Sequence, residues 1–139
     1  MCLDLTEKSK RKLLDVKRRA RNAKRTHIFA YKLLDPSKAF DQGVFISPYR
    51  GQKYQYGINR SGRNSTVLTR DEQIDRSIYR GLHCCRSKSG AKMLSWASDS
   101  RLKTCRIFKV KIEIDDIIGV GDFERIPSIA CTKLTLLEK

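Results

Sequence analysis

Lysine and arginine side chains concentrate near the start of the chain, where residues 1–27 hold ten of them against three carboxylates. Cations at this density neutralise the phosphates of a nucleic acid and release the counterions that those phosphates hold. Such contacts position a protein on the backbone and read no bases. The pattern therefore predicts a phosphate-binding surface made by Arg11, Lys12, Lys17, Arg18, Arg19, Arg21, Lys24 and Arg25.

Further cations in the middle of the chain are expected to extend this surface: Arg50, Lys53, Arg60 and Arg63. Three tyrosines stand among them, and exposed tyrosine rings stack on unpaired bases. Tyr54 and Tyr56, however, alternate with their neighbours as the buried side of a strand does. We therefore interpret these two as core residues and keep base stacking, with Tyr49, as the alternative.

Metal or thiol chemistry has a weaker basis in the sequence. Adjacent residues of a strand point to opposite faces, so His83 and Cys85 would share a metal ion, with Cys105 or Cys131 completing the site. Zinc sites usually carry closely paired ligands, and the chain has no C-x-x-C pair. We predict no metal and no cofactor, and we interpret the cysteines as reduced, buried thiols. A Cys85 nucleophile activated by His27 or His83 is the remaining alternative.

Length and net charge limit the class of protein. A chain of 139 residues with 40% apolar residues is sufficient for one domain. Its formal charge of +15 adds self-repulsion to the folded state, which an anionic partner would relieve. The start of the chain has no apolar segment of signal-peptide length, and no apolar run is long enough to cross a bilayer. We expect a cytosolic protein without membrane contact.

A helix over residues 4–25 is the element expected to position the first group of cations. Asp4 is the predicted N-cap, and Glu7 completes a capping box three residues later. The apolar residues recur at spacings of three and four and share one face: Leu13, Val16, Ala20 and Ala23. The helix would dock through this narrow stripe and expose its cations.

The rest of the chain predicts an α+β domain. Strand patterns include residues 28–34, 53–58 and 106–114, and short helices are expected around 70–77 and 90–97. Three sets of side chains are each expected to share one face: Tyr54, Tyr56 and Ile58; Ala91, Leu94 and Trp96; Phe108, Val110, Ile112 and Ile114. We predict a mainly antiparallel or mixed sheet of about five to six strands with two to three helices. Residues 1–27 would form the basic N-terminal helix and residues 28–139 the single domain.

Several short motifs resemble those of a family of small phage and prophage proteins. They are SPYRG at 47–51, YQYG at 54–57 and RGLH at 80–83, followed by a helix at 91–97 and strands at 107–114 and 130–137. The resemblance covers roughly residues 28–137. It implies a phage accessory protein that acts on host machinery or host defence in the host cytoplasm, and it brings no catalytic residues.

The leading hypothesis is a non-enzymatic, phage-type protein that binds the phosphate backbone of DNA or RNA. The second is an inhibitor of a host defence complex, such as an anti-CRISPR, whose cations dock on an acidic or nucleic-acid-binding surface. The third is an enzyme, since Tyr79–Gly81 resembles the strand of ADP-ribosyltransferases in which an arginine, here Arg80, grips the dinucleotide. The late Glu-x-Glu pair of those enzymes is replaced by Glu113, Ile114 and Asp115.

Overall fold

The computed structural model describes residues 3–4, 9–36, 44–47, 53–61, 77–78, 81–96, 105–123 and 125–138. Within these ranges two α-helices accompany eleven strands, so the predicted α+β class is confirmed and the strand number is higher than predicted. The helices are α1 (Ser9–Asn22) and α2 (Lys88–Ser95), and a 3₁₀ turn spans Ile114–Asp116. The strands are β1 (Leu3–Asp4), β2 (His27–Leu34), β3 (Val44–Ile46), β4 (Lys53–Gln55), β5 (Gly57–Arg60), β6 (Ser77–Ile78), β7 (Leu82–Cys85), β8 (Arg106–Glu113), β9 (Ile117–Phe123), β10 (Ile126–Cys131) and β11 (Lys133–Leu136).

Nine strands form one sheet in the order β5-β11-β8-β2-β7-β10-β9-β1-β6, and β3 and β4 form a separate two-stranded ribbon. Every described strand pair is antiparallel. The longest ladder joins β2 to β8 from His27 opposite Glu113 to Leu34 opposite Arg106. Strand β8 alternates apolar and polar residues from Phe108 onward, whereas β2 is apolar on both faces, because a buried cluster packs on each side of it.

The two helices cover opposite faces of the sheet. Ala20 of α1 belongs to the same buried cluster as Leu34, whereas Ala91 of α2 belongs to the cluster that contains Leu33. Successive residues of a strand point to opposite faces, so these two clusters lie on either side of β2. The β3–β4 ribbon contributes Phe45 to the α1-side cluster.

The predicted facing of β8 is confirmed, because Val110 and Ile112 are buried and Phe108 packs against the same cluster. The predicted facing of residues 53–58 is wrong. Gly57 has φ +90, a conformation that favours glycine, and it separates β4 from β5. The run is not one strand, because β4 pairs with β3 and β5 pairs with β11; Tyr54 is buried, whereas Tyr56 and Ile58 are exposed.

Of the three predicted helices, the two within the described residues differ from their predicted bounds. Asp4 lies in β1, where it pairs with Ser77, so it is not the N-cap of the first helix. The second helix begins after Ser87, whose side chain accepts from the Gly90 N–H, and it ends before Trp96, which is 76% exposed and does not turn inward. The helix predicted around 70–77 lies outside the described residues, except for Ser77.

Strand β7 is shorter than β2 at one end of their pairing. Strand β7 pairs with β2 only at Tyr31 and Cys85, and it ends there. In this register the first four residues of β2, from His27 to Ala30, extend past the end of β7. The sheet is therefore open between β2 and β10 at this point, where β10 continues through Pro127 and Ile126.

Candidate nucleic-acid interface

Helix α1 ends in a Schellman motif that sets the direction of the chain into β2. The Lys24 N–H donates to the Arg21 carbonyl at 3.0 Å, and the Arg25 N–H donates to the Ala20 carbonyl at 2.7 Å. Lys24 has φ 55, the left-handed conformation that glycine usually supplies at this position. The turn places two cations directly after the helix.

The helix packs on the sheet through its apolar stripe, as predicted, but the stripe is shorter. Ala20 is buried, and Leu13 and Val16 are half-buried against the main core cluster. Ala23 is exposed because the helix has already ended at Asn22. Three apolar contacts therefore hold α1 in place, and its wide polar surface is left to solvent.

The cations of α1 have little compensation from the protein. Asp15 is the sole acidic residue in the helix sequence, and its Oδ1 accepts from Arg18 Nη2 at 3.0 Å. Ion pairs as exposed as this one contribute little to stability. Exposed or half-exposed cations surround it: Arg11, Lys12, Lys17, Arg19, Arg21, Lys24 and Arg25. Among the described residues, no further carboxylate forms an ion pair with this group.

A cleft of about 340 Å³ lies between α1 and the opening in the sheet. Four cations and one carboxylate line it: Lys12, Arg19, Arg25, Arg86 and Asp15. The apolar part of its wall consists of Val16, Ala20, Ile28, Phe29 and Ile129. Four like charges around one cleft repel each other, and an anion within it would reduce that repulsion.

Phe29 is an unusual member of this wall, because 44% of the residue is exposed. The His27 ring meets it edge-on with centroids 5.2 Å apart, and Lys109 Nζ lies 4.3 Å from its centroid. A cation over an aromatic ring is a favourable arrangement and holds the ring in place. By the alternation of β2, this ring projects on the α2 side of the sheet with Tyr31 and Leu33, away from α1.

The sequence analysis did not single out Phe29, Arg86 or Lys109 as candidate site residues. The strand pattern of β2 treats Phe29 as one more apolar residue, and its exposure depends on where β7 ends. Arg86 carries a weak signal, since it directly follows a buried strand and precedes the Ser87 N-cap. Its N–H donates to the Pro127 carbonyl at 2.9 Å, which fixes its backbone at the cleft.

The second predicted group of cations is not brought beside the helix within the described residues. Lys53 is exposed on β4, and Arg60 is exposed on β5, the first strand in the sheet order, whereas α1 contacts β9 near the other end. Arg50, Arg63 and Tyr49 lie outside the described residues.

The interpretation of Tyr54 as a core residue is confirmed, since it is 2% exposed. Tyr56 does not share its burial; 39% of it is exposed, and its ring meets Phe45 edge-on at 5.1 Å. Neither tyrosine lines the cleft.

One lysine is buried in the core instead of facing solvent. Lys32 is 6% exposed, its Nζ donates to the His83 carbonyl at 2.6 Å, and it lies 4.8 Å from the Tyr54 ring centroid. Burial by itself lowers the pKa of Lys32, but Tyr54, Cys84 and Cys131 outweigh this effect and raise its pKa. For Tyr54, burial has the opposite effect and raises the pKa of the phenol. This cation is held inside the protein and is not available to a partner.

Two thiols that meet are Cys84 and Cys131, on the α1 side of the sheet. The hydrogen bond from Cys131 lowers the pKa of Cys84, whereas burial and the neighbouring Cys84 raise the pKa of Cys85 to about 11. A thiol with that pKa stays protonated at neutral pH, which does not favour a Cys85 nucleophile. No group of three possible metal ligands occurs in the described part of the chain.

The described residues do not bring together a site of the ADP-ribosyltransferase type. Arg80 lies outside them, and Glu113 pairs with Lys111 at 3.7 Å on the sheet and does not line the cleft.

Neither α1 nor α2 is long and apolar enough to cross a membrane. The resemblance to phage proteins stays a prediction, since no family model, curated protein or solved structure matches the chain.

Proposed function

We propose that the protein binds nucleic acid non-enzymatically, through contacts of the α1 cations with the phosphate backbone. The observation that carries the proposal is the orientation of α1. Its apolar stripe packs on the sheet, and its cations face outward with Asp15 as their one carboxylate on the helix. A phage-type role, suggested by the resemblance in the sequence, is compatible with this activity and forms part of the proposal.

Electrostatics within the helix support the same function. Lys17 and Arg21 stand four residues apart on one flank, where like charges destabilise a helix. Lys12 and Arg19 stand on the other flank, toward the cleft. Phosphates on either flank would offset this repulsion and release counterions, so binding would be strong at low salt and would weaken steeply as salt rises.

The test reverses four cations that do not line the cleft: Arg11, Lys17, Arg21 and Lys24, each changed to Glu. We expect the affinity for a labelled oligonucleotide, single-stranded or duplex, to fall at least about 100-fold at about 0.1 M salt, because four phosphate contacts are lost. Fluorescence anisotropy measures the binding, and circular dichroism checks that the variant is folded.

The matched control carries the same change in net charge elsewhere. It reverses four exposed cations on α2, β8 and the β9–β10 turn: Lys88, Lys92, Arg106 and Arg125. We expect this control to lose less than about tenfold, because only the long-range field changes. Equal losses in the two variants, or no loss in either, would show that α1 is not the binding surface.

A further inference from the structure

We infer that the cleft between α1 and the sheet binds a doubly charged phosphate group, the group that a phosphomonoester carries at the end of a nucleic-acid strand or on a free nucleotide. The inference goes beyond the proposed function, because it concerns the cations inside the cleft and not the outward cations of α1. Either source offers the cleft the same chemistry, a compact dianion with three acceptor oxygens.

One side of α1 faces the cleft. Lys12, Asp15 and Arg19 recur at spacings of three and four, so they lie along a single side of the helix. All three line the cleft. The Asp15 Oδ1 accepts from Arg18 Nη2 at 3.0 Å, which reduces the repulsion of an anion by this carboxylate. The helix thus offers the cleft two cations against one carboxylate that is already paired.

Two arginines reach the cleft from outside the helix, and a hydrogen bond fixes the backbone of each. The Arg25 N–H donates to the Ala20 carbonyl at 2.7 Å, and the Arg86 N–H donates to the Pro127 carbonyl at 2.9 Å. Both arginines line the cleft. A guanidinium donates two parallel hydrogen bonds to phosphate oxygens, so arginines on separate segments can contact different oxygens of one group. Because their backbones are already ordered, less conformational entropy is lost when an anion binds.

The wall behind these cations is apolar. Ile129 of β10 is buried, and Ile28 of β2 packs against the same core cluster on the α1 side of the sheet. Both line the cleft, together with Ala20 of the helix. Opposite charges attract each other more strongly beside such a wall, because the effective dielectric constant there is lower than in bulk water. The cleft therefore favours a compact anion that several cations contact at once.

Charge and size favour a terminal phosphate over one inside a strand. Four cations line the cleft against one carboxylate. A phosphomonoester carries a charge of about −1.5 to −2 at pH 7, whereas each backbone phosphate carries a single negative charge. The cleft volume of about 340 Å³ lies in the lower range of small-ligand sites. A phosphate inside a strand would bring a sugar on each side with it, whereas a terminal phosphate has one attachment and can enter end-on.

The first experiment uses inorganic phosphate alone as the probe. At about pH 7.5 and constant ionic strength, replacing chloride with about 10 mM phosphate should raise the melting temperature of the wild type by about 3 °C, because the anion binds the folded state. Arg86→Gln should lose most of this shift. The control Arg106→Gln removes the same charge from an exposed residue opposite Leu34, at the far end of the β2–β8 ladder from Ile28, and should keep the shift.

The second experiment separates the two sources of phosphate. A labelled oligonucleotide with a 5′-phosphate is compared with the same oligonucleotide ending in a hydroxyl. We expect the wild type to bind the phosphorylated form about tenfold more tightly, and Arg86→Gln to reduce this ratio to about twofold. Equal affinities, together with a melting-temperature shift by a mononucleotide but not by its nucleoside, would assign the cleft to a free phosphomonoester.

The outcomes separate this inference from the proposed function. If phosphate shifts the melting temperatures of the wild type, Arg86→Gln and Arg106→Gln equally, or shifts none of them, the inference is overturned, because the effect does not come from the cleft. No nucleic acid is present in that experiment. If the fourfold α1 reversal leaves oligonucleotide binding unchanged, the proposed function fails and the phosphate site stands. Melting temperatures in chloride show whether a substitution itself changes folding.

Discussion

The α1 region and the C-terminal strands both contain many charged residues, and they use them differently. On the C-terminal side, Lys111 pairs with Glu113 at 3.7 Å, and Lys133 pairs with Asp116 at 3.4 Å. On α1, the ion pair of Arg18 with Asp15 is surrounded by cations that no described carboxylate meets. The C-terminal strands thus pair two of their lysines with carboxylates, whereas the described part of α1 has one ion pair among many cations.

The sequence carries the same difference. Residues 109–139 hold five basic and six acidic side chains, whereas residues 1–27 hold ten basic and three acidic. The C-terminal segment builds β9, β10 and β11, whose burial requires that nearby charges be compensated. Helix α1 needs only three apolar contacts to dock, so its remaining positions are free to carry charge. A helix that packs lightly on a sheet can thus carry a binding surface at little cost to the core.

The difference between the two regions requires that α1 is docked on the sheet through its apolar stripe. Ala20→Glu would place a carboxylate in the contact between helix and sheet, and we expect the free energy of unfolding to fall by about 3 kcal/mol. Ala23→Glu introduces the same charge at an exposed position just after the helix and should change stability by less than about 0.5 kcal/mol. Urea unfolding measures both. Similar stabilities for the two variants would mean that α1 does not pack through Ala20.

Buried groups should make stability depend on pH in the alkaline range. The folded protein holds the Cys85 proton up to about pH 11, whereas the ordinary thiol pKa is 9.0. The unfolded chain therefore binds fewer protons in this window, and stability falls as the pH rises from 9 to 11, by about 2 kcal/mol. The raised pKa values of Lys32 and Tyr54 act in the same direction.

The variant Cys85→Ala tests this contribution through the slope of stability against pH. We expect it to lose less stability than the wild type between pH 9 and pH 11, whatever its stability at pH 7. Urea unfolding at several pH values gives the slopes. A wild-type stability that is constant or rises over this window would contradict the assignment of a protonated, buried Cys85.

Replacing one cation of an ion pair should lower stability and leave binding unchanged, whereas replacing one cation of the cleft should do the reverse. Lys133→Gln leaves the Asp116 carboxylate, which is partly buried, without its ion pair, and we expect a loss of about 1 kcal/mol in stability with unchanged nucleic-acid affinity. Arg86→Gln should weaken nucleic-acid binding with unchanged stability. Thermal unfolding and anisotropy on both variants complete the comparison. If Lys133→Gln weakens binding as much as Arg86→Gln does, the two regions do not differ in the way described.

The smallest expected effect concerns Lys24, a cation held in a glycine-favouring conformation. Lys24→Gly should raise the free energy of unfolding by about 0.5 kcal/mol, because glycine adopts φ 55 without steric cost. The same change should weaken nucleic-acid binding two- to fivefold, about one phosphate contact. A stabilised variant with full affinity would remove Lys24 from the binding surface.

Much of the fold could be predicted from local patterns. The alternation of β8 and the apolar stripe of α1 are periodic, so Val110, Ile112, Leu13, Val16 and Ala20 were assigned to the correct side. The break at Gly57 is not visible in the alternation, because residues on its two sides pair with different strands, β4 with β3 and β5 with β11.

The site could be predicted only in part. The cations of α1 are visible as a run of residue types, because a helix exposes whatever its narrow apolar stripe does not bury. The cleft arises from the place where β7 ends relative to β2, which is a matter of strand register between distant segments. Arg86 therefore carries no local sequence pattern that marks it as a neighbour of α1.

The most direct test of the central claim is the dependence of affinity on salt for the wild type and for the fourfold variant of Arg11, Lys17, Arg21 and Lys24. On a duplex oligonucleotide we predict that log K for the wild type falls against log salt with a slope of about −4 or steeper. The slope of the fourfold variant should be shallower by about 4, to the point of no measurable binding. Equal slopes for the two proteins would contradict the claim that α1 binds the phosphate backbone.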